Sequence, residues 1–82
     1  MSTLQELTRT VELAGDLHQR SVLNVVGAAR ATIARWREGS GPSETMLYLL
    51  ADAVDMQREM EHRLGLAHAA RLDAVMALAD GP

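Results

Sequence analysis

The four residues Ser40-Gly41-Pro42-Ser43 constrain the fold most, because a continuous helix cannot accommodate glycine and proline together at this point. On both sides of this turn, apolar residues recur at three- and four-residue steps, a spacing typical of amphipathic helices. Ala, Leu, Val and Met supply most of the apolar residues, with one Trp, one Tyr and no Phe. These residue types are more typical of helix interfaces than of strands. The sequence therefore predicts an all-α protein.

Further glycines divide the chain into shorter predicted helices. Thr3 and Glu6 have the spacing of a capping box, in which a hydroxyl and a carboxylate satisfy free N–H groups at a helix start. Gly15, Gly27 and Gly65 are each expected to end a helix. The predicted helices cover residues 3–14, 19–26, 29–39, 44–64 and 66–79. The sequence therefore predicts one five-helix domain over residues 1–82, with an extended helical pair at its C-terminal end.

Charge is distributed unevenly along a chain whose net charge is −3. Residues 17–41 carry a net charge of +3, whereas residues 1–16 carry −2 and residues 42–82 carry −4. Overall acidity argues against a general nucleic-acid binder, since such proteins need cations to displace counterions from phosphates. The basic segment has two interpretations: a surface that contacts DNA, or a solvated helix face that keeps an apolar helix soluble.

Residues 17–39, LHQRSVLNVVGAARATIARWREG, resemble the helix-turn-helix core of the Cro/phage-repressor (XRE-type) family of DNA-binding proteins. The matching positions are Leu17, Gln19, Val22, Val26, Gly27, Thr32, Ile33, Trp36 and Gly39. The resemblance continues more loosely to residue 54, where Pro42 precedes an apolar helix. Leu23 departs from the pattern, because the family prefers a small residue where its two helices cross. The resemblance implies a helix-turn-helix at 17–39, in which Ile33 and Trp36 face the core.

The resemblance also implies a function, which is sequence-specific transcriptional regulation by a homodimer. Its third helix enters the major groove of double-stranded DNA. By position in the family pattern, the residues expected to read base edges are Arg30, Ala31 and Arg35. The residues expected to contact phosphates are Gln19, Arg20, Thr32 and Arg37.

The C-terminal part, residues 44–82, is predicted to form a dimer or partner interface, because its first helix is longer than a small core can cover. The residues expected in that interface are Leu50, Met56, Met60, Leu64, Leu72 and Met76. Several antitoxins of the XRE type share this plan, so a toxin is a further candidate partner. The alternative function is a non-enzymatic helical interaction module, an antitoxin or adaptor, that binds its partner through these helices.

Catalysis and cofactor binding are not expected from this sequence. It has no cysteine, no lysine and no glycine-rich phosphate loop. Glu59-x-x-His62 has the spacing of two ligands in di-iron helical bundles, but such a site needs two of these motifs and two more glutamates, so no metal site is expected. A signal peptide and a spanning segment are not recognisable. The expectation is a cytoplasmic protein without membrane contacts.

Overall fold

The computed structural model describes residues 3–81, which form two α-helices joined by a short turn. Helix α1 covers Leu4–Arg37 and helix α2 covers Glu44–Ala79. The two helices pack against each other as an antiparallel hairpin, 68 Å long and 16 by 14 Å across. The radius of gyration is 18.6 Å, whereas a compact domain of this length has about 12 Å. The all-α prediction is confirmed, and the molecule is a rod.

Two of the five predicted helix starts, those near residues 3 and 44, are confirmed, and each has a side-chain cap. The Thr3 hydroxyl accepts a hydrogen bond from the Glu6 N–H at 3.1 Å, and the Ser43 hydroxyl accepts one from the Met46 N–H at 3.2 Å. Each bond satisfies one of the free N–H groups in the first turn of its helix. The intervening turn depends on glycine, because Gly39 and Gly41 have φ angles of 80° and 67°, values that other residues rarely adopt.

The prediction of a five-helix domain with a helix-turn-helix is wrong. Gly15, Gly27 and Gly65 lie inside the two long helices, and none of them has a positive φ. Glycine inside a helix costs roughly 1 kcal/mol relative to alanine, a cost that does not break either helix at these residues. Helix α1 ends only where Gly39 takes the left-handed conformation. Between residues 3 and 81, therefore, the structure has no break at Gly27 and no helix-turn-helix.

The interface between the helices, called the seam here, follows a heptad repeat. Residues that are buried or partly buried recur at alternating steps of three and four along both helices. Such spacing is typical of helices that wind around each other in a left-handed coiled coil. The seam consists of Leu7, Val11, Ala14, His18, Ser21, Val25, Ala28 and Thr32 of α1 and Met46, Leu50, Ala53, Gln57, Met60, Leu64, Ala67, Arg71 and Ala74 of α2.

Polar side chains occupy the most buried places in this seam. Ser21 and Thr32 are 4% and 5% exposed, lower than the two buried hydrophobic residues, Val11 at 9% and Met60 at 8%. Each hydroxyl donates to a carbonyl of its own helix, Ser21 to His18 at 2.6 Å and Thr32 to Ala28 at 2.8 Å. These bonds satisfy the buried hydroxyls without linking the two helices.

One side-chain hydrogen bond crosses the seam, between His18 Nε2 and Gln57 Nε2 at 3.3 Å. The hairpin exposes 6408 Å² of surface, whereas a folded monomer of its mass exposes about 4,800 Å². The exposed area is therefore roughly a third larger than that of a compact protein of the same mass. Pairing the two helices leaves much of the chain's apolar surface in contact with solvent.

Candidate interaction surface

A second row of apolar residues runs along each helix beside the seam, in the half of the hairpin that contains the turn. These residues also recur at steps of three and four, displaced by one heptad position from the seam residues. We call the two rows together the turn-half face. It consists of Val22, Val26, Ala29, Ile33 and Trp36 of α1 and Leu47, Ala51 and Val54 of α2.

Both rows lie on the same broad side of the hairpin. The row of α1 begins one residue after Ser21 of the seam, and the row of α2 begins one residue after Met46. Because the helices are antiparallel, equivalent flanking positions of the heptad lie on one side of the pair. The two rows therefore form one continuous apolar surface on either side of the seam.

Most of the turn-half face is exposed to solvent, and only Ala29 and Val54 are half-buried. Trp36 is 65% exposed, and Ile33 and Leu47 are 49% and 48% exposed. Charged residues begin only at its borders, with Arg30 and Arg37 along the outer side of α1 and Asp55 along that of α2. A contiguous exposed apolar surface with a charged rim is typical of protein–protein contact sites.

The opposite broad side of the hairpin has a different composition. Its exposed hydrophobic residues alternate with charged ones, as in the sequence from Met56 through Glu59 and Arg63 to Leu66. Arg63 and Glu59 form an ion pair of 2.7 Å, with both side chains more than half exposed. An exposed pair of this kind contributes little to stability, and its charges interrupt the apolar surface. The two broad sides are therefore chemically distinct.

The prediction that Ile33 and Trp36 face the core is wrong. Both belong to the turn-half face, while the neighbouring Thr32 occupies the seam. Hydrophobicity favours the first two residues for burial, but the heptad that starts at Leu7 and Val11 leads to Thr32. The residues predicted to form a partner interface include no member of the turn-half face, so Leu47 is absent from that prediction. The step of three and four that the residues of the face share, separate from that of the seam, is the signal that identifies them.

The residues predicted to bind DNA all lie on the single helix α1. Arg30, Ala31, Arg35, Gln19, Arg20 and Arg37 are exposed, whereas Thr32 is buried in the seam. Arg30 and Arg35 are five residues apart, which places them about 140° apart around the helix axis. The helix-turn-helix that was to present them together is absent from residues 3–81. DNA recognition by these residues stays a prediction.

The residues predicted to form a dimer or partner interface are divided between two environments. Met60 is buried and Leu50 and Leu64 are partly buried in the seam of the chain's own hairpin. The three others are exposed on α2: Met56 at 49%, Leu72 at 58% and Met76 at 54%. The seam residues are thus occupied within the chain, and only the exposed three are available to another molecule.

Groups of acidic and histidine side chains do not converge on a point in the described part of the chain. Among residues 3–81, no cluster of three or more His, Cys, Asp or Glu residues is placed to hold a metal ion. Glu59, of the Glu59-x-x-His62 motif, accepts from Arg63. Within the same residues, neither helix contains a stretch long and apolar enough to cross a membrane.

Comparison of the chain with protein families, with curated proteins and with solved structures finds no match. The resemblance of residues 17–54 to the XRE-type family therefore stays a prediction from sequence, and the helix-turn-helix that it implies is contradicted by the fold. Any statement about function depends on the chemistry of the hairpin itself.

Proposed function

We propose that this protein is a non-enzymatic helical interaction module, which acts by packing its turn-half face against helices of a protein partner. The observation that carries the proposal is the exposure of Trp36, Ile33 and Leu47 on one continuous, uncharged surface. Covering such side chains stabilises a complex by about 1.5–3 kcal/mol for each one fully buried. A contact made by the whole face is therefore strongly favourable.

The weakness of the seam supports the same proposal. The hairpin buries Val11 and Met60 and only half-buries the other large hydrophobic residues of the seam, and no side chain in residues 3–81 is fully buried. Isolated helix pairs of this length need more apolar burial than that to offset the entropy of ordering the chain. A partner on the turn-half face supplies the missing burial, so that binding and folding stabilise each other.

The test follows the environment of Trp36, the only tryptophan of the chain. A chain labelled with 5-fluorotryptophan is measured by ¹⁹F NMR, alone over a range of concentrations and in an extract of the source cells. The solvent isotope shift of the signal reports whether the ring is exposed. We expect the ring to lose solvent contact under at least one of these conditions.

Two matched variants show whether the turn-half face is responsible. Ile33→Glu places a charge within the face, while Leu23→Glu places one on the outer side of α1, where Leu23 is 62% exposed. We expect the first to keep Trp36 in solvent and the second to behave as the wild type. A tryptophan that stays fully solvated in the wild type under all conditions contradicts the proposal.

A DNA titration separates this proposal from the regulator predicted from sequence. An interaction module without a DNA role has no measurable affinity for a duplex at low or physiological salt. A regulator has an affinity that falls steeply with salt, because phosphate contacts release counterions. An affinity of that kind, lost in Arg30→Ala, favours DNA binding over the proposal.

A further inference from the structure

We infer that the partner on the turn-half face is a second copy of this chain, and that the two hairpins form a four-helix bundle with both turns at the same end. In this arrangement α1 of one copy packs against α2 of the other across a two-fold axis parallel to the helices. The inference rests on the proposed function, and it adds the identity and the orientation of the partner.

The exposed area fits such a dimer. The hairpin exposes 6408 Å², roughly 1,600 Å² more than a compact monomer of its mass. If each copy covers that excess, the dimer buries about 3,200 Å² in total, within the range of permanent homodimers. A four-helix bundle is also the arrangement in which helices have two contact faces each. In this hairpin, each helix makes its first contact through the seam, and the apolar row beside the seam is available for the second.

Charge complementarity favours a second copy of the chain as the partner, and it favours the orientation in which both turns are at the same end. In residues 17–37 of α1, arginine is present and Asp and Glu are absent. In residues 44–55 of α2, Asp and Glu are present and arginine is absent. With the turns at the same end, the basic half of α1 lies beside the acidic half of the other copy's α2, on both sides of the dimer. Arg37 of one copy is then within one helical turn of the level of Glu44 in the other.

The alternative two-fold arrangement has the turns at opposite ends and is less favourable. It packs α1 against α1, which brings Arg30 and Arg37 of one copy towards the same helix of the other copy. If the hairpins overlap along their whole length, the apolar row also meets Gln5, Thr8 and Glu12 at the open end. Like charges and uncompensated polar groups both weaken such an interface.

The first measurement is the mass in solution by sedimentation equilibrium. We expect twice the chain mass of 8.9 kDa for the wild type, and a dimer dissociation constant at least 100-fold higher for Leu47→Glu. Leu66→Glu, on the opposite broad side at a residue that is 59% exposed, is the matched control and should remain dimeric. A wild-type chain that is monomeric at all concentrations overturns the inference.

The second measurement gives the direction of the partner. The chain has no cysteine, so Ser40→Cys introduces a single thiol at the turn. We expect a bismaleimide cross-linker that spans this gap to join the two thiols efficiently, because turns at the same end lie about 10–20 Å apart when neighbouring helix axes are separated by 8–10 Å, too far for a direct disulfide. Leu23→Cys, which points away from the bundle, is the control for random collisions. Spin labels at residue 40 separated by a distance approaching the 68 Å rod length overturn the same-end arrangement.

The outcomes distinguish this inference from the proposed function. If the chain is monomeric but Trp36 loses solvent contact in the cell extract, the interaction module stands and the second copy is excluded as its partner. If the chain is dimeric but Leu47→Glu and Leu66→Glu dimerise equally, the interface is elsewhere and the inference fails. If Trp36 remains solvated throughout, both fail.

Discussion

Thr32 and Trp36 lie four residues apart on α1, yet their environments are the reverse of those that such side chains ordinarily take. The hydroxyl of Thr32 is in the seam at 5% exposure, whereas the indole of Trp36 lies on the turn-half face at 65% exposure. The same contrast holds for the two regions as a whole. Polar residues interrupt the seam, whereas every residue of the turn-half face is apolar.

This contrast shows how the two regions divide the stabilisation of the molecule. Ala14, Ala28 and Ser21 in the seam are small, so the two helix axes can approach closely, but they provide little apolar burial. The turn-half face is exposed, so its apolar side chains could still contribute free energy if another surface covered them. Under the proposed function, the seam would set the geometry of the hairpin and the turn-half face would supply the association energy.

The largest effect is expected from Trp36→Ala. Removing the indole from a covered face should weaken association on the order of 100-fold, or about 3 kcal/mol, as for central aromatic residues in interfaces. Tyr48→Ala is the matched control, since Tyr48 is 63% exposed and lies outside the face, bonded to Glu44 of its own helix. Sedimentation equilibrium measures both. Equal losses of association affinity in the two variants contradict the assignment of the interface to the turn-half face.

A comparison of two methionines tests the seam. Met60 is 8% exposed and Met56, one turn earlier on α2, is 49% exposed. Met60→Ala should lower the free energy of unfolding by about 2 kcal/mol, because it leaves a cavity between the helices. Met56→Ala should change it by less than about 0.5 kcal/mol. Urea denaturation at one fixed protein concentration measures the difference, and the seam assignment is wrong if the order is reversed.

The caps and the turn of this fold could be predicted from the sequence, because each depends on local chemistry. Thr3 and Ser43 cap their helices through hydroxyls three residues from the N–H groups that they accept from. Gly41 and Pro42 end helical structure wherever they occur together. The early part of the seam, Leu7 and Val11, also follows from apolar spacing alone. These features need no knowledge of which surfaces meet.

The course of the seam beyond Ala14 could not be predicted in this way. It continues through His18, Ser21 and Thr32, so its apolar signal fades, while the row of Val22, Ile33 and Trp36 becomes the stronger pattern. From about residue 22, a prediction based on hydrophobicity follows the row of the turn-half face instead of the seam. It then needs a chain break to bring Ile33 and Trp36 inside, and Gly27 offers one. The predicted helix-turn-helix came from the resemblance of residues 17–39 to the XRE-type pattern, whose apolar positions include Val22, Ile33 and Trp36 of this second row. The packing of α1 on α2 shows which of the two rows is buried between the helices.

Two glycine substitutions separate a continuous helix from one that breaks at residue 27. Gly27 is exposed with no atom within 4 Å of an added Cβ, so Gly27→Ala should stabilise the protein by about 0.5–1 kcal/mol through helix propensity. Gly39 has a φ of 80°, so Gly39→Ala should destabilise it by about 1 kcal/mol. Thermal unfolding followed by circular dichroism measures both. Destabilisation by Gly27→Ala indicates a left-handed cap at that residue.

The smallest expected effect on stability comes from removing the buried hydroxyl of Thr32 from the seam. Thr32→Val replaces the buried hydroxyl by a methyl group of nearly the same shape. The carbonyl of Ala28 that accepts from this hydroxyl also accepts the backbone N–H of its own helix, so the substitution leaves no buried polar group without a partner. The unfolding free energy should therefore change by no more than about 0.5–1 kcal/mol, with any change towards stabilisation. A loss larger than that in urea denaturation indicates that the hydroxyl orders the helix pair across the seam. The polar residues would then hold the register of the seam, in addition to allowing close approach of the helices.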